Sequence, residues 1–197
     1  KGKEKVLESI SSIIPENVKI TSVRQADALG LGHAVLCAKH LINDEPFAVM
    51  LPDVLILDKE SREQNFSFIQ LIRSWSKTGV GQIMVESVEP DVVENYGIAN
   101  LNSGLVEPFK SLPVKGLVEK PSPKDAPSNL AILGRYVLPY KLLELLENTT
   151  AGEGDEIQLT DALGELLKLE GLIAMVDIGA RRDDEMLRLN DAGRLAL

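Results

Sequence analysis

Apolar and amphipathic stretches alternate along the first half of this chain, and that alternation limits the folds open to it. VKITSV (18–23) has the β-branched density of a strand. RQADALGLGHAVL (24–36) follows and opens a helix that the apolar spacing carries from about Gly32 to Leu41. FAVMLPDVLI (47–56) is a continuous apolar run interrupted by one acid, which suits a strand buried on both faces, as in a parallel sheet. Residues 65–77 set Phe68, Leu71, Ile72 and Trp75 at helical spacing, with Gly79 and Gly81 closing the helix before the strand GQIMVESV (81–88). Strand, helix, strand, helix in this order is the mark of a doubly wound α/β sheet. From about residue 97 to 118 the rhythm changes to short strand-like pieces with turns at 102–104 and 113–116, an inserted and more antiparallel region. LAILGRYVL (130–138) and LIAMVDIG (172–179) read as later strands, with helices between them at about 139–147 and 158–169; the first helix covers residues 6–14, and the tail after residue 182 reads as helical.

Composition narrows the function. The 197 residues fit one large domain with room for a core. A net charge of −9 argues against nucleic acid or an anionic membrane as the main partner, while leaving a small phosphorylated substrate open, since a few local bases suffice for that. Cys37 is the single cysteine, so no intrachain disulfide forms, and its apolar neighbours in VLCAKHL mark it as a small core residue. No run reaches the roughly 20 apolar residues that span a bilayer, and no signal peptide is visible, which makes a reducing cytoplasm the default compartment. With His33 and His40 the only histidines and no cysteine cluster, a zinc site is not expected.

Several short constellations are able to carry chemistry. Gly30 and Gly32 stand one residue apart where a helix begins, with Arg24, Gln25, Asp27 and His33 close by. Such a loop lets backbone approach a flat polar ring or a phosphate. Asp53 follows Leu51-Pro52 at the carboxyl end of an apolar run, where ligands of open α/β sheets sit. A carboxylate there suits Mg²⁺ bridged to phosphates, and suits a turn cap equally well. Asp177, in VDIG, repeats the arrangement: alone it reads first as a turn residue, and taken with Asp53 it gives two acids far apart in sequence that could converge on one cation. In VEKP (118–121), Glu119 and Lys120 point to opposite faces of a straight strand and share a site only if the chain bends before Pro121. A carboxylate can accept from two sugar hydroxyls, and an ammonium offers a point charge to a phosphate; an exposed pair on an edge strand is the alternative. Gly97 in NYG admits a sugar ring or makes a turn. Thr160 or Asp155, in GEGDEIQLTDA (152–162), is placed to cap the next helix.

Taken in order, RQADALGLGHAVL, FAVMLPDVLI, ENYGI, GLVEKP, SNLAILGRYVL, GDEIQLTDAL and VDIG resemble the bacterial UTP–glucose-1-phosphate uridylyltransferases of the sugar nucleotidyltransferase family, from about residue 5 to 179. The resemblance implies a single Rossmann-like nucleotidyltransferase domain over 1–197: an α/β fold with a mixed, mostly parallel central sheet flanked by helices and an inserted antiparallel region. It implies that Gln25 reads the uracil edge, that Gly30 lets backbone approach the base, and that Gly97 and Glu119 contact glucose hydroxyls. Lys120 would hold the sugar phosphate, and Asp53 and Asp177 would bind Mg²⁺, making Lys120 and Asp53 the catalytic pair. The substrates implied are UTP and glucose 1-phosphate, the product UDP-glucose, with homo-oligomerisation left open. Two departures stand out. The Gly-rich triphosphate loop that opens the family has no counterpart, so the chain is expected to lack its N-terminal part. ARRDDEML replaces the family's pattern after VDIG. Transferases for other bases or sugars are the rivals within the class, although GLGHA and GDEIQLTDA favour the uridylyl–glucose branch. A non-catalytic sugar-nucleotide-binding relative is the rival outside it: retention of Asp53 and Asp177 argues against this reading, and the missing loop argues for it.

Overall fold

The computed structural model describes residues 17–53, 66–102 and 110–176. The expected first helix, Asp177 and the C-terminal tail lie outside the described residues. Within them, helix α1 spans Gly30–Cys37, followed by a 3-10 turn at Lys39–Leu41, strand β1 at Phe47–Met50 and helix α2 at Phe66–Thr78. Strand β2 is Gly81–Ser87, β3 Gly97–Leu101, β4 Ser111–Glu119 and β5 Leu130–Leu138. Helices α3 (Lys141–Asn148) and α4 (Leu159–Glu170) follow, then β6 (Leu172–Val176).

The strands form one sheet in the order β1-β5-β2-β6-β4-β3, and a further pairing of Ile98 with Ala131 joins β3 back to β5, so the sheet curls into a barrel-like closure. Among the described strands only β2 and β6 run parallel; β1–β5, β2–β5, β3–β4, β3–β5 and β4–β6 are antiparallel. The helices and the mixed sheet agree with the α/β reading, whereas the expectation of a mostly parallel sheet does not hold among these strands. The reason is physical. A continuous apolar run reports burial on both faces, and β5 (LAILGRYVL) is such a run, yet it lies antiparallel to all three of its partners, β1, β2 and β3. Strand direction is set by the connections.

Two further expectations fail for related reasons. Of FAVMLPDVLI, residues 54–56 lie outside the described residues; within 47–53 only the four-residue β1 forms, at the edge of the described sheet with alternating half-buried and exposed residues, its ladder ending before Pro52, which lacks a donor. VKITSV is not in a strand. It pairs with none of the described strands, and Val18, Ile20 and Val23 remain exposed.

The two faces of the sheet are sorted by the alternation of side chains along β2. Ile83 and Val85 point into the larger core with Leu142, Leu143 and Leu146 of α3 and Leu159, Leu163 and Leu166 of α4. Met84 points the other way, to Leu71 of α2, Leu133, Val137 and Met175. Each fully buried leucine of α3 contributes about 1.5–3 kcal/mol through apolar burial. Helix α2 ends as expected: Gly79 takes a φ of +66° and its amide donates to the Trp75 carbonyl at 2.8 Å. Cys37 is half-buried and belongs to none of the core clusters, so the core reading of that residue is corrected.

Strand β5 bulges at Gly134. Between Ile83↔Tyr136 and Val85↔Ile132 it carries two more residues than β2, and Gly134 sits there at φ +65°. At the same place its other edge changes partner, from β1 at Arg135–Leu138 to β3 at Ala131. A Cβ at Gly134 would meet the Leu51 side chain at 2.7 Å, and the Leu51 amide donates to the Gly134 carbonyl at 2.9 Å. The bulge thus seats the loop that carries Asp53.

Candidate functional site

The candidate sugar residues converge. Gly97 and Glu119 are Cα partners across β3 and β4. A Cβ at Gly97 would lie 3.1 Å from Glu119 Oε2, 3.1 Å from Thr160 Oγ1 and 3.2 Å from Ile132 Cδ1, so the absent side chain leaves room above a carboxylate and a hydroxyl. The bend needed to bring Lys120 to the same side is present. Lys120 takes a φ of +42°, a left-handed conformation costly for a residue with a Cβ, and its amide donates to the Tyr96 carbonyl at 3.0 Å. Its Nζ comes to 4.0 Å from Glu119 Oε1, with the lysine half exposed and the glutamate mostly covered. A polar floor beside one half-exposed cation can hold a hydroxylated, phosphorylated ligand. From Glu119 and Thr160 a groove of about 980 Å³ runs on between β4 and α4, past Gly116 and Gly164.

Thr160 is a site residue whose chemistry the sequence reading placed elsewhere. The N-cap of α4 is Gln158, without a side-chain cap bond, so neither Thr160 nor Asp155 caps the helix. Thr160 stands in the first turn of α4, facing Gly97. The signal was its place one residue beyond the Leu159 core position, on the adjacent helix face.

At the glycine loop, the structure gives a more specific answer than general backbone freedom. Gly30 has a φ of +90°, and its Cβ would fall 2.8 Å from Glu156 Cβ; a Cβ at Gly32 would fall 2.6 Å from the Ile157 carbonyl oxygen. The Gly32 amide donates to the Ile157 carbonyl at 2.9 Å, and the Ile157 amide donates to the Leu29 carbonyl at 2.8 Å. The glycines therefore let the chain's own 156–157 backbone dock on the start of α1. Gln25, half-buried, folds over this junction: its Nε2 lies 3.1 Å from the Gly30 carbonyl and 3.0 Å from His33 Nδ1. Arg24 and Asp27 are exposed.

Asp53 is exposed on the loop seated by Leu51. Arg135 Nη1 donates to the Leu51 carbonyl at 2.7 Å, and the negative charge of Asp53 partly offsets the desolvation that lowers the Arg135 pKa. Tyr136 beside it is buried; desolvation first, and then the charges of Glu119 and Asp53, push its phenol above the usual tyrosine range. One buried phenol thus feels the charges of both acids. Asp177, the expected second metal acid, lies outside the described residues, and so does any test of the convergence of the two acids. Among the described residues no group of three or more His, Cys, Asp or Glu is gathered tightly enough to cage a metal. An exposed single carboxylate fits Mg²⁺, which uses one or two protein carboxylates and completes its shell with substrate phosphates and water.

What links the two halves is the segment 156–160: Glu156 and Ile157 press on Gly30 and Gly32, and Thr160 faces Gly97. GDEIQLTDA is the seam between the glycine loop and the Gly97–Glu119 floor.

This seam lies on a curled mixed sheet with helices on both faces. The nucleotidyl transferase family profile matches residues 1–180, and the chain belongs to that family. It is 46% identical over 168 residues to the UTP–glucose-1-phosphate uridylyltransferase of Haemophilus influenzae (85% of this chain, 57% of the relative), and 47% identical over 168 residues to that of Escherichia coli K12 (85% and 55%). Among solved structures, a UTP-bound UGPase from Acinetobacter baumannii superposes with a TM-score of 0.77 at 41% identity, covering 90% of this chain and 59% of that one. A UDP-glucose pyrophosphorylase complexed with UDP-glucose gives 0.78 at 36%, covering 89% and 64%. The chain spans somewhat more than half the length of the curated relatives it matches.

Proposed function

We propose that this chain carries the sugar-nucleotide half-site of a UTP–glucose-1-phosphate uridylyltransferase, which joins UTP and glucose 1-phosphate into UDP-glucose and pyrophosphate. The convergence of Gly97, Glu119, Lys120 and Thr160 at one end of the sheet carries this reading, because each group matches a separate part of a hexose phosphate. Glu119 accepts from glucose hydroxyls over the space left by Gly97. Lys120 neutralises the phosphate of glucose 1-phosphate, and its strained backbone keeps the ammonium on the carboxylate's side. Gln25 and the backbone at Gly30 hold the uracil.

In the reaction, an oxygen of the glucose 1-phosphate phosphate forms a bond to the α-phosphorus of UTP as the bond from that phosphorus to the pyrophosphate oxygen breaks in line. The electron pair leaves with pyrophosphate, and no covalent enzyme intermediate is required. The protein contributes positioning and charge neutralisation. Asp53 and Asp177 would hold Mg²⁺, which when bound spreads the charge on the phosphoryl oxygens, an effect worth about several kcal/mol in such sites.

Calorimetric titration of the chain with UDP-glucose, with and without Mg²⁺, tests the proposal. Saturable binding that Mg²⁺ strengthens and Glu119→Gln weakens is expected. A folded chain that takes up no UDP-glucose, or one in which Glu119→Gln and Lys120→Met leave its affinity unchanged, overturns it.

A further inference from the structure

Gln25 Nε2 has two hydrogens, and both are directed at acceptors within the protein: the Gly30 carbonyl at 3.1 Å and His33 Nδ1 at 3.0 Å. The carbonyl fixes the sense of the amide. Turning it over would set Gln25 Oε1 against the Gly30 oxygen, two acceptors face to face. With Gln25 Nε2 as the donor, His33 Nδ1 is the acceptor, a pairing that a neutral imidazole makes with its proton on Nε2; Nε2 lies 3.8 Å from Cys37 Sγ one helical turn on. His33 and Cys37 stand at i and i+4 on α1, and the rigid helix holds this chain of contacts in line. What remains of the Gln25 side chain for a ligand is a single acceptor, Oε1.

We propose that His33 is a positioning residue that sets base choice: by occupying one N–H of Gln25 while Gly30 occupies the other, it leaves the glutamine able only to accept. The inference rests on the reading of Gln25 as the base contact and adds to it the selection of one pyrimidine over another. An acceptor-only group meets the N3–H of uracil favourably. In the same pose cytosine presents the lone pair of its N3, acceptor against acceptor, and its amino group is displaced by one ring position. Sites that hydrogen-bond a specific substrate N–H or O–H reject analogues lacking it strongly, because their buried polar groups are then left unpaired. Without His33 the Gly30 carbonyl still holds one N–H of the amide, and the other is released as a donor that cytosine N3 can accept from. Thymine shares the N3–H of uracil and is not distinguished by this device.

UTP and CTP binding by calorimetry, on the chain and on His33→Leu, His33→Gln and Gln25→Ala, tests this. The unsubstituted chain is expected to prefer UTP. His33→Leu, confirmed folded by circular dichroism, should lower the UTP-to-CTP affinity ratio at least tenfold, and His33→Gln, which keeps an acceptor for the Gln25 amide, should restore most of it. A purely structural role for His33 would weaken both nucleotides together and leave the ratio alone; that outcome overturns the proposal. If Gln25→Ala leaves UTP affinity unchanged, or if the unsubstituted chain binds neither nucleotide, the base-contact reading itself falls, and the His33 inference with it. Nitrogen-15 NMR of the ligand-free chain decides the geometry separately: a His33 ring protonated on Nε2 is expected, and a neutral ring protonated on Nδ1 refutes the arrangement whatever the nucleotides do.

Discussion

The Gly32 amide and the Ile157 carbonyl are joined by a 2.9 Å hydrogen bond, and a methyl group at Gly32 would sit 2.6 Å from that same carbonyl oxygen. Helix α1 can meet the loop before α4 this closely only because the side chain is absent. Gly32→Ala should therefore push the 156–157 backbone away and destabilise the chain by about 1–3 kcal/mol, the range for overpacking. Gly116→Ala, where an added Cβ has nothing within 4 Å, is the control and should change stability far less. Urea unfolding of both variants checks this, and equal midpoints would contradict it.

Lys120 combines a strained backbone with a proposed phosphate contact, so its replacement by glycine should move stability and binding in opposite directions. Relief of the left-handed conformation is worth about 1–2 kcal/mol, against roughly 0.5–1 kcal/mol lost to the extra freedom of glycine in the unfolded chain. Lys120→Gly should be no less stable than the parent in urea, and it should bind UDP-glucose at least tenfold more weakly. A destabilised variant with intact binding would show that the lysine serves the fold alone.

Gly97→Ala places a methyl group 3.1 Å from both Glu119 Oε2 and Thr160 Oγ1, in the space assigned to the sugar. These neighbours are side-chain ends able to give by a few tenths of an ångström, so melting should change little. UDP-glucose affinity should fall at least tenfold, about 1.4 kcal/mol. Calorimetry beside thermal melting separates the two effects.

Burial and the charges of Glu119 and Asp53 raise the pKa of Tyr136 above its ordinary value of 10.0. The folded chain then keeps this proton where the unfolded chain releases it, so the contribution to stability is fully present below pH 10 and is lost as pH rises from there toward the raised folded value. Tyr136→Phe removes the titrating group and should flatten the fall in melting temperature between pH 9.5 and 11.5. A parallel fall in the parent and the variant would locate alkaline sensitivity elsewhere.

Much of this molecule was legible in the sequence because the signals are local. Leu130–Leu138 matches its apolar run end to end, and α2, α3 and α4 fall within a residue or two of the spans their periodicity sets. The motif order identified the family, and the requirement that VEKP bend before its proline is met by the φ of Lys120. Sequence order could not reveal what depends on groups distant along the chain. The direction of each strand, the curling of β3 onto β5 and the edge position of β1 follow from how connections route, and a continuous apolar run looks the same in either direction. The same limit held at the site. Glycines at 30 and 32 announced a close approach, but only tertiary packing decided that the approaching backbone is residues 156–157, that Thr160 faces Gly97 instead of capping a helix, and that the Gln25 amide meets both the Gly30 carbonyl and His33. Composition and periodicity act over one or two turns of chain, whereas a hydrogen bond's partner is chosen by whatever the fold brings within about 3 Å.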